Sequence, residues 1–225
     1  MNKTWTILGA GDFIGEMIDN IEANKDKCLY IVVNNKLDKG ILKIVPKGIK
    51  VVNIKQFKPS THNYIYGHHS YGIGQTICPV CTKKNLGIFH KLNFSNLIHP
   101  TAYISKSSKM GIGNYFGPGS IIGAKTVIGN FNTFNRASTC GHDDNIGDHN
   151  NFGPAATVCG FCSIGSENYL AVRATVVDKI TIASNIVVGA GAVVLSNLIK
   201  RGTYIGIPAK KLIRKPFLRF LSKFI

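Results

Sequence analysis

The residues with the clearest chemical potential are a histidine and the acidic side chains beside it. His142 is followed directly by Asp143 and Asp144, and Asp148 comes shortly after. Residues 96–208 contain only five acidic residues, and three of them lie in this short segment. A carboxylate next to an imidazole fixes its tautomer and stabilises the imidazolium that forms when the ring takes up a proton. The segment therefore predicts a general base; the alternative is a histidine that is merely exposed on a polar turn.

Two Cys-x-x-Cys pairs raise the possibility of a zinc site. They are Cys78 with Cys81, and Cys159 with Cys162. Paired cysteines at this spacing are common zinc ligands. The second pair has another explanation in the six-residue repeat described below, which gives Cys162 an inward position and Cys159 a corner. We therefore expect no metal.

A glycine-rich turn near the start of the chain could bind an anion. Residues 4–8 are typical of a buried strand, and Gly9 and Gly11 follow before a helical stretch that ends near Asn24. Such a turn offers backbone N–H groups and a helix N-terminus to a phosphate. The dinucleotide fingerprint is incomplete, because Gly15 comes one residue late and no acidic residue ends the second strand. The alternative is a turn that merely packs.

Further strands are predicted at residues 29–33 and 63–66. The first ends at Asn34 and Asn35, whose amides both donate and accept hydrogen bonds and could read the edge of a nucleobase. The second runs into Gly67. Because ligands of parallel sheets bind at the carboxyl ends of the strands, this part of the chain is predicted to be a small Rossmann-like α/β domain.

An apolar residue recurs at every sixth position over the following half of the chain. Neither a helix nor an ordinary strand has this period, so the repeat is a larger unit, and a parallel β-helix with three hexads per turn is the natural candidate. Glycine often follows the apolar anchor, where a side chain would clash at a corner, and small residues four places after the anchor fit a narrow interior. The anchors are Ile98, Ile104, Met110, Phe116, Ile122, Ile128, Phe134, Cys140, Ile146, Phe152, Val158, Ile164, Leu170, Val176, Ile182, Val188 and Val194.

The chain has 225 residues and a formal net charge of +16, with the basic excess at its two ends. No nucleic-acid-binding motif accompanies the charge, so we expect no nucleic-acid partner. The first residues lack the apolar core of a signal peptide, and no apolar stretch is long enough to span a membrane, so we expect a cytoplasmic protein. The predicted division is an α/β domain at 1–95, a β-helix at 96–208 and a basic tail at 209–225.

Several segments together resemble the left-handed β-helix sugar acyltransferases. The resemblance is carried by the hexads, by LIHPTA at residues 97–102, by GHDDNIGD at 141–148 and by GIPAK at 206–210. The chain is most similar to bacterial nucleotide-aminosugar N-acetyltransferases and sialic acid O-acetyltransferases, which also have a small Rossmann-like N-terminal domain. Left-handed winding is implied by the resemblance alone, because crossovers between parallel strands are normally right-handed.

The resemblance implies transfer of acetyl from acetyl-CoA to the amino group of a nucleotide-linked 4-amino-4,6-dideoxy sugar in surface polysaccharide synthesis. His142 would be the general base, Asp143 would orient it, and the backbone N–H of Gly160 would bind the thioester oxygen. The positions that match acetyl-CoA contacts are Asn151, Gly160, Val172 and Ala190, and those that match nucleotide-sugar contacts are Phe13, Ile14, Gly15, Asn34, Asn35 and Gly67.

The chain departs from the resembled subgroup at three places. Asn151 stands where a second histidine is common, Asp12 and Phe13 replace a Gly-His pair, and Asn34 and Asn35 stand where two acids are common. These departures leave His142 as the sole predicted base and point to a different nucleobase or sugar. The resemblance also implies a homotrimer with active sites between neighbouring coils.

Two other functions and one feature of the tail stay open. The same residues suit an O-acetyltransferase of sialic acid or a related sugar, and a non-catalytic β-helix scaffold or ligand sensor is the alternative of another class. In the tail, Phe217, Phe220, Leu221 and Phe224 follow helical spacing among basic residues. This pattern predicts either weak contact with an anionic membrane or a segment that packs on the oligomer or is disordered.

Overall fold

The computed structural model describes residues 2–9, 11, 13–33, 43, 45–67 and 92–213. These residues form an N-terminal parallel sheet followed by a parallel β-helix. Three predicted features lie outside them: the pair Asn34 and Asn35, the pair Cys78 and Cys81, and the tail from residue 214 onward.

The N-terminal sheet has four parallel strands in the order β3-β2-β1-β4. The strands are β1 (Thr4–Leu8), β2 (Lys27–Val33), β3 (Lys50–Asn53) and β4 (Asn63–Tyr66), and the helix α1 (Ile14–Ala23) connects β1 to β2. The predicted strands and the helix after the glycine turn are confirmed. Within the described residues α1 is the one helix with defined bounds, so the Rossmann-like arrangement of this region stays a prediction.

Helix α1 joins the sheet to the β-helix. Its apolar face is buried together with Leu97 and Tyr115, which belong to the first turns of the β-helix. Two amides on the same helix reach backbone carbonyls of the coil: Asn20 Nδ2 donates to Phe116 O at 3.1 Å and Asn24 Nδ2 donates to Ile98 O at 2.8 Å. The helix is therefore held against the coil by apolar contact and by hydrogen bonds.

The β-helix has three faces, each a sheet of short strands that stack one turn upon the next. Face I contains β5 (Leu97–Ile98), β8 (Tyr115–Phe116), β11 (Thr133–Phe134), β14 (Asn151–Phe152), β17 (Tyr169–Leu170), β20 (Ile186–Val188), β22 (Gly202–Ile205) and β23 (Lys210–Lys211). Face II contains β6 (Tyr103–Ile104), β9 (Ile121–Ile122), β12 (Thr139–Cys140), β15 (Thr157–Val158), β18 (Thr175–Val176) and β21 (Val193–Val194). Face III contains β7 (Lys109–Met110), β10 (Val127–Ile128), β13 (Asn145–Ile146), β16 (Ser163–Ile164) and β19 (Thr181–Ile182).

The hexad anchors form the core of this coil, as the period predicts. From Phe116 to Val194 they are buried in one apolar cluster, and the three earliest anchors pack against it. Anchors one turn apart stack directly: the rings of Phe116 and Phe134 are 4.9 Å apart and those of Phe134 and Phe152 are 4.6 Å apart. The repeat therefore fixes which residue stands above which.

Glycine follows the anchors because adjacent turns approach closely there. A Cβ on Gly141 would lie 2.6 Å from the backbone N of Gly160, and one on Gly153 would lie 2.9 Å from that of Val172. Two residues later each corner has positive φ, and most residues at that position are not glycine, for example Asp143 at 56°. The glycines after the anchors are thus needed for space between turns. The residues with left-handed backbone conformation are different ones, two positions later in the hexad.

A column of buried asparagines runs through the corner between faces III and I. The side-chain Oδ1 of Asn114 accepts the backbone N–H of Asn132, Asn132 Oδ1 accepts that of Asn150, and Asn150 Oδ1 accepts that of Asn168. Each bond joins one turn to the next at 2.8 to 2.9 Å. The column satisfies N–H groups at a buried corner, which would otherwise destabilise the coil.

The last strands close the coil differently from the rest. β22 continues face I in parallel, whereas β23 pairs antiparallel with β22. In the part of the chain that the structure describes, no helix has the length and apolar character needed to cross a membrane.

Candidate active site

His142 and Asp143 form a hydrogen-bonded pair at the corner between faces II and III, in the turn from β12 to β13. The distance from Nδ1 to Asp143 Oδ2 is 2.9 Å. Because a carboxylate only accepts hydrogen bonds, this contact places the ring proton on Nδ1 and leaves the lone pair on Nε2. The imidazole side chain is 56% exposed. The pair can therefore take up a proton at Nε2 from a molecule that approaches from outside the coil.

The next turn of the coil supports the imidazole from one side. Gly160 stacks on His142, and a Cβ at position 160 would lie 3.0 Å from both Cε1 and Nε2 of the ring. The ring of Phe161 meets the imidazole edge to face at 4.9 Å, and the Phe161 N–H donates to the His142 carbonyl at 3.0 Å. The prediction that Gly160 stacks one turn from His142 is confirmed by this packing.

The backbone N–H of Gly160 already has an acceptor in the structure. Asp178, one further turn along the coil, accepts this N–H through Oδ1 at 3.0 Å. Asp178 itself is exposed. The N–H therefore points away from the interior, in the direction that the predicted contact with a thioester oxygen requires, but that oxygen would have to take the place of the Asp178 carboxylate.

The three acids near His142 in the sequence have different surroundings. Asp143 is the one that contacts the imidazole. Asp144 points into the coil and is 1% exposed. Burial raises the pKa of its carboxyl to about 7, although the backbone N–H groups of Cys162 and Gly141 lower it. Asp148 accepts the Asn130 N–H at 2.7 Å and ties two turns together. The six-residue register could have shown the inward position of Asp144, since it falls four places after the anchor Cys140.

The other residues predicted to contact acetyl-CoA lie at different places around the coil. Asn151 is buried at the start of a face I strand, and its Oδ1 has no hydrogen-bond partner among the described residues. Val172 and Ala190 are exposed and stack at the corner between faces I and II, where the Gly191 N–H donates to the Val172 carbonyl. One chain therefore does not bring these three residues to the corner that holds His142.

The predicted nucleotide-sugar positions that the structure describes lie at one edge of the N-terminal sheet. β1 and β4 are neighbours, and their carboxyl ends lead to Gly9 and Gly67. A Cβ on Gly67 would contact the side chain of Ile7 and lie 2.5 Å from the Gly9 carbonyl oxygen. Phe13 caps α1 without a side-chain hydrogen bond to the helix, Ile14 is buried and Gly15 is half-buried. This close approach explains why position 67 is a glycine. The first turn of α1 follows the carboxyl end of β1 and so begins at the same edge of the sheet.

An aromatic cluster that the sequence reasoning missed connects this edge to the coil. Tyr66, the last residue of β4, packs on Phe94 at 4.9 Å and on Phe131 at 4.8 Å. Phe131 stacks on His149 at 5.2 Å, and burial lowers the pKa of this histidine. The one sequence signal for this cluster is Phe131 itself, a large aromatic residue at a corner position of the repeat where φ is 56°.

The cysteines of the coil fit the repeat. Cys162 is buried at the predicted inward position, with Sγ 3.1 Å from the Val177 carbonyl oxygen, and Cys159 is half-buried at a corner. Across the described ranges, no group of three or more His, Cys, Asp or Glu is arranged to hold a metal ion.

Solved structures resemble this chain along nearly its whole length, whereas no protein-family model and no curated protein matches it significantly. PerB from Caulobacter crescentus, crystallised with CoA and GDP-perosamine, is 26% identical, with a TM-score of 0.75 over 93% of this chain and 97% of that one. A mutant of perosamine N-acetyltransferase from the same organism, also with CoA and GDP-perosamine, is 24% identical, with a TM-score of 0.76 over 94% and 97%. The acetyltransferase domain of PglB from Neisseria gonorrhoeae, in complex with acetyl coenzyme A, is 23% identical, with a TM-score of 0.79 over 94% and 100%.

The mutant structures of the Caulobacter enzyme replace one histidine by asparagine or by alanine. All three neighbours cover both the N-terminal sheet and the β-helix of this chain, so the likeness is not confined to the repeat. They confirm the resemblance predicted from the sequence: the chain has the fold of the hexapeptide-repeat sugar N-acetyltransferases.

Proposed function

We propose that the protein is an acetyl-CoA-dependent N-acetyltransferase that acts on the amino group of a nucleotide-linked sugar. The observation that carries the proposal is the exposed imidazole of His142, which Asp143 holds through Nδ1 and Gly160 supports from the side, so that the lone pair is on Nε2. The structural neighbours support the same activity, since the Caulobacter enzymes were crystallised with CoA and an amino-sugar nucleotide.

In the proposed reaction the neutral sugar amine attacks the thioester carbonyl of acetyl-CoA, and His142 Nε2 takes the amine proton as the C–N bond forms. The tetrahedral intermediate collapses with loss of the C–S bond, and the CoA thiolate takes the proton back from the imidazolium. Asp143 stabilises the imidazolium while it exists. The products are the N-acetylated sugar nucleotide and free CoA.

We assign the oxyanion contact to the Gly160 N–H. A backbone donor in a fixed turn is suited to a developing negative charge because it needs no reorganisation during the reaction. The N–H points to the exposed side, where Asp178 accepts it. In the complex with acetyl-CoA the thioester oxygen replaces the Asp178 carboxylate, which is exposed and free to turn into water.

We assign nucleotide binding to the sheet edge at Gly67 and the first turn of α1, in a Rossmann-like domain at 1–95. Phe13, Ile14 and Gly15 lie in this turn, and we assign Asn34 and Asn35, which follow β2 in the sequence, to the same ligand. The N-terminus of a helix favours a phosphate group. The aromatic cluster from Tyr66 to His149 runs from this edge to the coil. This arrangement favours a bound nucleotide sugar whose sugar ring extends toward a corner of the β-helix.

We propose a homotrimer of left-handed coils in which the acyl-donor site forms between chains. One acetyl-CoA molecule can contact His142 together with Asn151, Val172 and Ala190 only if two copies of the chain meet. The second copy must then place its face I, or its corner between faces I and II, against His142 of the first copy. Apolar side chains exposed on faces II and III, Tyr103, Ile121 and Val127, support such burial. Light scattering at micromolar concentration tests the assembly, and a monomer would contradict it.

Cytoplasmic location and a weak membrane contact of the tail are separate proposals. The tail can be tested by liposome cosedimentation of the full chain and of a chain that ends at Ile213, which retains β23. Equal binding of the two chains to anionic vesicles would exclude a membrane role for residues 214–225.

The activity is tested by release of free thiol from acetyl-CoA with a panel of acceptors. The panel contains 4-amino-4,6-dideoxy sugars linked to GDP, UDP and dTDP, together with sialic acid as a hydroxyl acceptor. Alkaline hydroxylamine cleaves oxygen esters and spares amides, so it separates O-acetyl from N-acetyl products. Turnover of an amino-sugar nucleotide to a hydroxylamine-stable product is expected. Turnover of sialic acid alone would favour the O-acetyltransferase, and no turnover of any acceptor would favour a scaffold.

A further inference from the structure

Asp144 is a carboxyl group inside the coil that the proposed reaction does not use. Its side chain is 1% exposed, and Oδ1 accepts the backbone N–H of Cys162 at 2.8 Å. Its second oxygen, Oδ2, is also buried and has no hydrogen-bond partner within the part of the chain that the structure describes. A buried polar atom without a partner is destabilising. Whether Oδ2 carries a proton therefore matters, because a proton would let it donate a hydrogen bond.

The neighbouring turns show what this position does in the coil. Thr126 lies one turn earlier, and its Oγ1 donates to the carbonyl fifteen residues ahead, that of Gly141, at 2.8 Å. Cys162 lies one turn later, and its Sγ faces the carbonyl fifteen residues ahead, that of Val177, at 3.1 Å. Both side chains are donors to the same place in the turn. For Asp144 the carbonyl at that place belongs to Cys159.

A carboxylate has no proton for this carbonyl, whereas a carboxylic acid has one. We propose that Asp144 is held as the neutral acid and that its Oδ2–H donates to the Cys159 carbonyl, which fixes the peptide that carries the Gly160 N–H. The carbonyl and N–H of one trans peptide point in opposite directions. A bond from the interior to the Cys159 carbonyl therefore turns the Gly160 N–H outward, where Asp178 accepts it.

The groups that face Asp144 are consistent with the neutral form. Burial is the main cause that raises its pKa, and the Asp143 carboxylate at the corner adds to it. His142 and the N–H groups of Cys162 and Gly141 favour the ion. The nearby thiols of Cys140, Cys159 and Cys162 all have raised pKa values, first through their own burial, and they add no charge at neutral pH.

Asp144 is thus a positioning residue that acts through the Cys159–Gly160 peptide. This role rests on the proposed function, since the orientation of the Gly160 N–H matters for turnover only if the acyl group binds there. The protonation of Asp144 does not rest on it.

The test compares two residues of equal shape at position 144. Thr126 shows that a threonine can serve here, since its Oγ1 accepts the N–H of the next turn at 3.2 Å while it donates to the carbonyl. D144T should keep kcat within about threefold of the wild type, whereas D144V, which lacks the donor, should lose at least about tenfold in kcat with the KM for the sugar nucleotide unchanged. D144N offers both an acceptor and a donor and should behave as D144T does. Thermal melting of each variant shows whether it is folded.

Infrared spectra of the full-length protein give a readout that does not depend on activity. The wild type at pH 6 should show the C=O stretch of a buried, protonated carboxyl group, and D144N should lack it. Absence of this band in the wild type would overturn the neutral acid. Equal turnover by folded D144T and D144V would overturn the positioning role while acetyl transfer stands. If the band is present but no acceptor is acetylated by the wild type, the neutral acid stands and its role in turnover falls with the proposed function.

Discussion

The imidazole of His142 lies so closely over Gly160 that a methyl group added to this glycine would press on the ring. A Cβ on Gly160 would be 3.0 Å from Nε2, the ring atom that carries the lone pair, and 3.2 Å from the His142 carbonyl oxygen. The proposed base and the proposed oxyanion donor are thus held in place by direct contact between successive turns. Nothing in the local sequence around either residue shows this contact, because it depends on the pitch of the coil.

Gly160→Ala should lower turnover and leave the coil folded. The new methyl group presses on the far end of an exposed ring, which can give way by a few tenths of an ångström, so Nε2 moves from its reactive position. A displacement of this kind should lower kcat by about tenfold or more. Steady-state kinetics with acetyl-CoA and the acceptor measure the effect, and thermal melting measures stability.

Gly141→Ala is the matched control for this change. Its Cβ would lie 2.6 Å from the backbone N of Gly160, and backbone cannot move aside as a ring does. This variant should therefore melt well below the wild type, whereas Gly160→Ala should melt close to it. If Gly160→Ala has wild-type kcat, the contact with His142 does not position the base.

The coil could be predicted from the sequence because its geometry is periodic. Each anchor from Phe116 to Val194 enters one apolar cluster, and the same period places Cys162 in the interior and Gly160 one turn from His142. A fixed repeat turns a difference in residue number into a position in space. This is why the corner that holds His142 follows from the hexad and why the repeat alone explains the pair Cys159 and Cys162.

The rest of the site could not be predicted because it depends on contacts between segments with no common period. Tyr66 and Phe131 meet only when the N-terminal sheet docks on the coil. Asp178 reaches the Gly160 N–H through a rotamer that the sequence does not encode. Asp144 is the exception, since it falls four places after the anchor Cys140, where the register predicts a side chain that points into the coil.

His142→Ala should abolish most of the acetyl transfer, with kcat lower by about a hundredfold to ten-thousandfold, because the general base is lost. Asp143→Asn should cost less, about tenfold, because asparagine can still accept from Nδ1 but no longer carries the charge that stabilises the imidazolium. Asparagine also tolerates the left-handed backbone at this position, where φ is 56°. Initial rates of thiol release check both variants, and near wild-type turnover by His142→Ala would show that another group is the base.

The free energy of unfolding should depend on pH through Asp144. Its carboxyl has a pKa of about 7 in the folded chain against an ordinary value of 3.8, so between these values the folded chain holds a proton that the unfolded chain has lost. Stability therefore falls as pH rises from about 4 to about 7 and levels off above, by up to about 4 kcal/mol in total. Asp144→Asn should lack this contribution.

Denaturant unfolding of the wild type and of Asp144→Asn at fixed protein concentration measures this dependence. The quantity to compare is the difference between the two free energies at each pH, since other carboxyl groups contribute equally to both. The variant should gain on the wild type as pH rises. A difference that is constant from pH 4 to pH 8 would mean that Asp144 titrates normally.

Asp178→Ala should increase kcat/KM for acetyl-CoA, because the carboxylate of Asp178 competes with the thioester oxygen for the Gly160 N–H. Removal of the acceptor frees this N–H and takes a negative charge away from the place where the oxyanion forms. Since Asp178 is exposed and its charge is screened by water, the expected gain is small, about twofold to fivefold. Asp178→Asn retains an acceptor oxygen without the charge and should lie between the wild type and Asp178→Ala. A fall in kcat/KM for Asp178→Ala, measured at saturating acceptor in the same thiol-release assay, would show that Asp178 assists the binding of acetyl-CoA and does not compete with it.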